Sequence, residues 1–265
     1  MKFVFRNDSG EKIHCNLEKN GSKILAVMAH GFKGDKELLI FKKLEEDLKN
    51  LNIDSLRIDF SGSGESEGDY SASTIKKQTD ELNLAIKKLG YRKVVLIGHS
   101  MGCSTSLIVA AKNHSIQGMI FISPLVFPLI TFSDSMLKFS PYVFLHNLNP
   151  EKFKLFDRFE LAKNSKKKIK SLIKKEVMGK KMSEEIKTLD LICLAKKISI
   201  PTLIICGKFD QLIPLSHTEY LKNVMPKSEL VIVNSFHTPF EKNQVAEISK
   251  YALNFAKKLK EKFLK

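Results

Sequence analysis

Between residues 22 and 123, continuous apolar runs alternate with amphipathic stretches, and this alternation constrains the fold more than any other feature of the chain. The runs are "SKILAVMAH" (22–30), "DSLRIDF" (54–60), "KVVLIG" (93–98) and "QGMIFIS" (117–123). A run without polar alternation suits a strand buried on both faces. Between them lie stretches with helical spacing. "KELLIFKKLEEDLKNL" (36–51) sets Leu38, Leu39, Phe41, Leu44, Leu48 and Leu51 on one face. "STIKKQTDELNLAIKKLG" (73–90) carries a Ser73 or Thr74 cap and a terminal Gly90, and "MGCSTSLIVAAKN" (101–113) reads as an apolar helix. The order β-α-β-α-β-α-β predicts an α/β fold with a parallel sheet covered by helices on both faces.

The flanks extend this plan. "KFVFRN" and "KIHCNLEK" read as two strands joined by a turn at Asp8-Ser9-Gly10. After residue 123 the regularity stops, and 124–197 hold no convincing parallel strand. It resumes with strand "PTLIICG" (201–207), a short helix near 216–224, strand "SELVIVN" (228–234) and a long C-terminal helix from 241 to 265. A sheet core interrupted by one insertion is the simplest account, and 265 residues suit one large domain with such an insertion.

Two Gly-x-Ser-x-Gly pentapeptides occur, "GHSMG" at 98–102 and "GESEG" at 64–68. Their surroundings separate them. "GHSMG" joins a buried strand directly to an apolar helix. A sharp turn there lifts Ser100 above the C-terminal edge of the sheet, where open α/β folds place ligands, and aims a helix N-terminus at it. "GESEG" follows no strand directly and starts no helix, and Glu65 and Glu67 would oppose a developing oxyanion beside Ser66. It reads as a glycine-rich surface loop, and its spacing and acidity exclude a phosphate loop.

A serine nucleophile needs a base, and the base needs an orienting acid. In "LIICGKFDQLIP", Asp210 lies just past a buried strand; in "LVIVNSFHTPF", His237 lies just past the next. Two loops on one edge of the sheet can converge on Ser100, and the order Ser, Asp, His is the one a hydrolase sheet requires. Asp190 is the rival acid, with strained geometry. The oxyanion donors should be backbone N–H groups: that of Met101, next to the nucleophile, and that of Phe32, in the loop "HGFKGDKE". The His30 side chain reads as a hydrogen-bonding shaper of that loop.

With these residues in hand, the chain resembles the serine α/β-hydrolases, in the branch of esterases, lipases and related aminopeptidases. The resemblance is carried by "AHGFKG", "RIDFSGSGESEG", "VVLIGHSMG", "PTLIICGKFDQLIP" and "SFHTPF", in that order. Within the branch it looks most like cinnamoyl and feruloyl esterases, with monoacylglycerol lipases next. The resemblance implies an α/β-hydrolase fold with a mostly parallel eight-stranded sheet, helices on both faces, a Ser100-Asp210-His237 triad, and an inserted helical cap. The core would then be 1–123 and 198–265 and the cap 124–197. It also implies a carboxylic ester as substrate and no metal or organic cofactor; aminopeptidase or thioesterase activity, or a catalytically silent binding module, are the alternatives. Cys103 departs from the pattern, since relatives often have a further Gly there, and slightly altered helix–strand packing is expected.

Charge and composition bear on partners. The net charge is +15, of which +9 falls in residues 138–197, with 16 Lys/Arg against 7 Asp/Glu. Two readings of that stretch stand: a basic face that weakly attracts anionic substrates or lipid surfaces, and a solvated Lys face over the cap's own small core. No helix-turn-helix or RNA-binding aromatic pattern accompanies the charge, so nucleic acid is not expected as a partner. Cys15, Cys103, Cys193 and Cys206 are scattered with no C-x-x-C, which suggests neither a zinc nor a redox motif. The N-terminus turns polar after five residues, unlike a signal peptide, and no apolar run reaches the roughly 18 residues of a membrane span. The expected compartment is the cytoplasm.

Overall fold

The computed structural model describes residues 1–128 and 180–264. The strands are β1 (Lys2–Arg6), β2 (Lys12–Glu18), β3 (Ile24–Ala29), β4 (Asp54–Ile58), β5 (Lys93–His99), β6 (Ile116–Ile122), β7 (Thr202–Gly207) and β8 (Ser228–Val233). They form one sheet in the order β1-β2-β4-β3-β5-β6-β7-β8. β1, β2 and β4 pair antiparallel, and every later pairing is parallel. The expected mostly parallel, eight-stranded α/β sheet is what the chain forms.

The buried runs become central strands because both their faces meet apolar helices. In β3 every residue is buried. Ile24, Ala26 and Met28 face a cluster with Ile40, Phe41, Leu44 and Leu48 of α1 (Leu39–Asn50) and with Val245, Ile248 and Phe255 of α7 (Lys242–Leu264). Leu25, Val27 and Ala29 face the opposite cluster, with Leu82 and Ala85 of α2 (Ile75–Leu89) and Cys103 and Leu107 of α3 (Met101–Ala110). Each large aliphatic or Phe side chain so buried contributes about 1.5–3 kcal/mol before ordering costs.

The helix ends follow local chemistry. The Thr74 hydroxyl accepts from the Lys77 N–H at 3.0 Å, and Gly90, at φ 73°, closes α2 in the left-handed conformation. α1 starts at Leu39 rather than at Lys36, because Leu38, its N-cap, is extended with φ −48° and ψ 132°. Leu39 is exposed, off the apolar face that its spacing suggests.

Most of the segment expected as a cap, residues 129–179, lies outside the described residues. Its end comprises α4 (Lys180–Thr188) and α5 (Leu191–Lys197). Met182 and Ile186 of α4 are buried with Ile75, Met101, Leu125 and Ile213, and the Glu185 carboxylate accepts from the Ile75 and Lys76 N–H groups, both at 2.7 Å. α4 is thus pinned to the N-terminus of α2 by charge and by apolar contact together. α5 buries Leu191 and Ala195 in the cluster that holds α2 and α3. α6 (Leu215–Val224) links β7 to β8. Among the described residues, no helix is long and apolar enough to cross a membrane.

The parallel register determines what meets at the sheet's C-terminal edge. Ala29 pairs with Gly98, Gly98 with Phe121, Ile122 with Ile205, and Gly207 with Val233. The loops after β3, β5, β7 and β8 therefore leave from one level, and they carry Phe32, Ser100, Asp210 and His237.

Candidate active site

Ser100 occupies the turn between β5 and α3 with φ 53° and ψ −119°. That conformation costs a non-glycine residue about 1–3 kcal/mol and persists only where its surroundings hold it. They do. The Ser100 N–H donates to the Ile122 carbonyl at 2.9 Å, and the Ser100 carbonyl accepts from Cys103 N–H at 3.0 Å and Leu125 N–H at 3.2 Å. The two glycines of "GHSMG" serve close approach. A Cβ on Gly102 would stand 1.9 Å from the Ala29 carbonyl oxygen, and one on Gly98 would stand 2.6 Å from the Cys103 nitrogen. Cys103 is fully buried, its Sγ lies 3.6 Å from the Ile122 carbonyl, and burial raises its thiol pKa well above the ordinary range.

The three residues singled out from the sequence meet. His237 Nε2 lies 2.9 Å from Ser100 Oγ, and His237 Nδ1 lies 2.9 and 3.1 Å from the two oxygens of Asp210. A carboxylate only accepts, so Nδ1 carries the proton and Nε2 presents its lone pair to the serine hydroxyl. The Asp210 side chain is 1% exposed. Burial alone would raise its pKa, but the His237 charge and ring N–H, with the N–H groups of Ile213 and Leu212, overrule it and hold the carboxyl below its usual value. Those two N–H groups donate to Oδ1 at 2.8 and 2.9 Å, which fixes the carboxylate from behind. Asp190, the rival acid, instead caps α5 by accepting from the Cys193 N–H at 2.8 Å.

The loop after β3 lies against the serine. A Cβ on Gly31 would stand 2.8 Å from the Ser100 Cβ, so only glycine admits that approach. Phe32 follows, and its side chain packs in the same cluster as Met101. His30 shapes this loop as expected. Its Nε2 accepts from the Phe60 N–H at 3.1 Å, so Nδ1 is protonated and donates to the Gly31 carbonyl at 2.8 Å. Burial holds that imidazole below the ordinary histidine pKa.

The second pentapeptide is built differently. Ser66 Oγ donates to the Asp59 carbonyl at 2.7 Å and accepts from the His14 N–H at 2.8 Å, which ties its loop to β2. Glu65 pairs with Lys36 and Lys2, and its pKa drops to about 2 under their influence. Lys36 and Asp59 form a pair with side chains 3% and 0% exposed. Asp59 also accepts from the Lys36 N–H at 2.7 Å and the Glu65 N–H at 2.9 Å.

One contributor escaped the sequence reading. His99, inside "GHSMG", is buried, and its Nε2 donates to the His237 backbone carbonyl at 2.9 Å. Burial, with the neighbouring His237 charge, drives its pKa down to about 4. A histidine at the polar end of a buried strand was the available signal. Among the described residues, no group of three or more His, Cys, Asp or Glu side chains is placed to hold a metal ion.

In chemical terms the arrangement is a serine hydroxyl hydrogen-bonded to an imidazole whose other nitrogen is held by a buried carboxylate, at the start of a helix. Rat (Rattus norvegicus) monoglyceride lipase is 29% identical over 128 residues, a match spanning 45% of this chain and 42% of that lipase. The pimeloyl-[acyl-carrier protein] methyl ester esterase of Yersinia pseudotuberculosis is 24% identical over 77% of this chain and 83% of its own length. Among solved structures, Est1E from Butyrivibrio proteoclasticus with ferulic acid bound superposes with a TM-score of 0.73 at 20% identity, covering 96% of this chain and 99% of that one. The family model described as alpha/beta hydrolase fold matches residues 27–244, and the chain belongs to that family.

Proposed function

We propose that this protein is a serine hydrolase that cleaves carboxylic esters through an acyl-enzyme. The observation that carries this reading is the chain of hydrogen bonds from Asp210 through His237 to Ser100 Oγ, at 2.9 Å on each side of the imidazole. Ser100 Oγ attacks the ester carbonyl carbon as its proton passes to His237 Nε2. The Met101 and Phe32 N–H groups hold the tetrahedral oxyanion, and Asp210 stabilises the imidazolium. Collapse breaks the bond to the alkoxy oxygen, which leaves as the alcohol with the proton from His237. Water then adds to the acyl carbon, gives its proton to His237 and, on collapse, releases the carboxylic acid and restores Ser100. These steps need no metal or organic cofactor. Residues 124–197 act as the cap over this site, and the protein works in the cytoplasm.

The names of the relatives, a monoglyceride lipase and a methyl ester esterase, favour an ester, as does the ferulic acid bound to Est1E. The test is a panel of p-nitrophenyl esters of short to long acyl chains, monoacylglycerol and methyl ferulate, run beside an acyl thioester and aminoacyl anilides. Ester turnover above the thioester and anilides, abolished in Ser100→Ala, is expected. An anilide or thioester hydrolysed faster than every ester would contradict the reading.

A further inference from the structure

The two ends of the sheet are finished differently. β1 closes one end, and its Lys2 and Arg6 are exposed and paired with Glu65 and Glu67. Charged side chains of this kind deter another strand from pairing with an edge. β8 closes the other end. Its sequence, "SELVIV", has no Lys, Arg or Pro, and it pairs with β7 over all its length without a bulge. Ile232 in it is 48% exposed.

The backbone of β8 has a definite outward set. The Lys227 carbonyl accepts from the Thr202 N–H at 2.9 Å, and the Val233 carbonyl accepts from the Lys208 N–H at 2.8 Å. Backbone direction alternates along a strand, so Lys227, Glu229, Val231 and Val233 address β7. Ser228, Leu230 and Ile232 turn their N–H and C=O groups to the edge, where no described strand lies. The set is bounded symmetrically. Pro226 has no N–H to offer, and the Asn234 N–H is already given to the Glu247 carboxylate at 3.1 Å. Leu230 stands at the centre of the open run.

Beside the strand, on the face covered by α7, Val231 and Tyr251 line a groove with Glu229, Glu261, Lys257 and Lys258. Among the described residues, none of these four charges is in an ion pair. The rim is balanced, two acids against two bases, on a chain whose net charge is +15. A strongly charged foreign partner finds no matching field there. A second copy turned about a two-fold axis brings its own acids and bases to face these.

We propose that β8 is a homodimer interface: two copies of this chain join edge to edge through antiparallel β8 strands, about a two-fold axis at Leu230. In that register Leu230 faces Leu230 of the second copy, Ser228 faces its Ile232, and Glu229 lies beside its Val231. All three outward residues exchange N–H···O=C bonds, and no donor is required of Pro226 or Asn234. One sheet runs through both copies with its C-terminal edges pointing opposite ways, so the two Ser100 sites open in opposite directions. The pairing does not depend on which bond Ser100 cleaves.

Sedimentation velocity of the full chain at about 50 µM, a concentration that saturates an interface of ordinary size, is expected to show twice the chain mass. Ile232→Lys puts a charge on the exposed edge, and Ile232→Pro removes one outward N–H while leaving the bonds to β7 in place. Each is expected to sediment as a monomer with an unchanged far-ultraviolet circular dichroism spectrum. The register is read separately by cysteine pairing in a Cys193→Ser background, which removes an exposed thiol. Leu230→Cys is expected to give a disulfide-linked dimer on mild oxidation, because directly opposed residues of such a pair have Cα atoms about 5.5 Å apart. Glu229→Cys, opposed to Val231, is expected to cross-link far more slowly. A monomeric wild-type chain at that concentration overturns the proposal. So does a dimer that persists in folded Ile232→Lys protein, and so does Glu229→Cys cross-linking as fast as Leu230→Cys. Where both substitutions at Ile232 unfold the chain, the cysteine comparison decides.

Discussion

His99 Nε2 donates to the backbone carbonyl of His237 at 2.9 Å, so the residue before the nucleophile holds the loop that carries the base. The neutral ring is the form the fold selects. Its pKa is about 4 in the native protein, below the roughly 6.5 of an unfolded histidine. Between those values the unfolded chain binds more protons than the native one. Stability from His99 is therefore fully present above about pH 6.5 and is lost as pH falls towards 4, by at most about 3 kcal/mol. Urea unfolding of wild type and His99→Gln across pH 4–7.5 is expected to give a shallower pH dependence in the variant. Equal slopes would remove this role.

Asp210 is bound to His237 through both oxygens, and Asn in its place would offer Nδ1–H a single acceptor beside a donor. Asp210→Asn is expected to lower kcat about 10³–10⁴-fold by favouring the wrong tautomer. The native carboxyl pKa is lowered. Its contribution to stability is thus present above the unfolded carboxylate pKa, about 3.9, and is lost as pH falls through the lower native one. Acid unfolding of the variant should show less of that low-pH loss.

Ser100 and Ser66 sit in the same pentapeptide pattern, and only one has a base beside it. Ser100→Ala and His237→Ala are each expected to lower ester turnover at least about 10⁴-fold. Ser66→Ala is expected to stay within about twofold, because the hydroxyl it removes binds backbone in its own loop and β2. Comparable losses at both serines would contradict the assignment.

The buried Lys36–Asp59 pair makes a different prediction. Removing Asp59 leaves the buried Lys36 ammonium with Glu65 alone and two backbone N–H groups without their acceptor, at a cost of about 3–5 kcal/mol, whereas replacing both members with apolar groups incurs only the second loss. Asp59→Ala is expected to lose that much stability in chemical unfolding, and Lys36→Met with Asp59→Leu to lose markedly less. Additive losses would mean that the charges do not act as a pair.

How much of this was legible in the sequence depends on the kind of interaction. The central strands were readable because both faces of β3, β5, β6 and β7 are apolar, and the meeting of Asp210 and His237 at Ser100 because Asp210 follows β7 and His237 follows β8, the edge strand paired with it. The start of α1 differs from the sequence expectation because the spacing of Leu38 and Leu39 carries no trace of the extended conformation that Leu38 adopts as the N-cap. His99 to the His237 carbonyl, Lys33 N–H to Tyr70, and Glu185 to the α2 N-terminus join residues 138, 37 and about 110 positions apart. Single side-chain-to-backbone bonds of that range leave no periodic pattern. The loop with "GESEG" was correctly separated from Ser100.

The most direct test of the account is covalent labelling of the folded protein with a fluorophosphonate, followed by peptide mapping. One adduct per chain is expected, on Ser100, abolished in Ser100→Ala, greatly slowed in His237→Ala and unchanged in Ser66→Ala. No adduct on Ser100 in folded wild-type protein, or one that forms equally fast without His237, would contradict it.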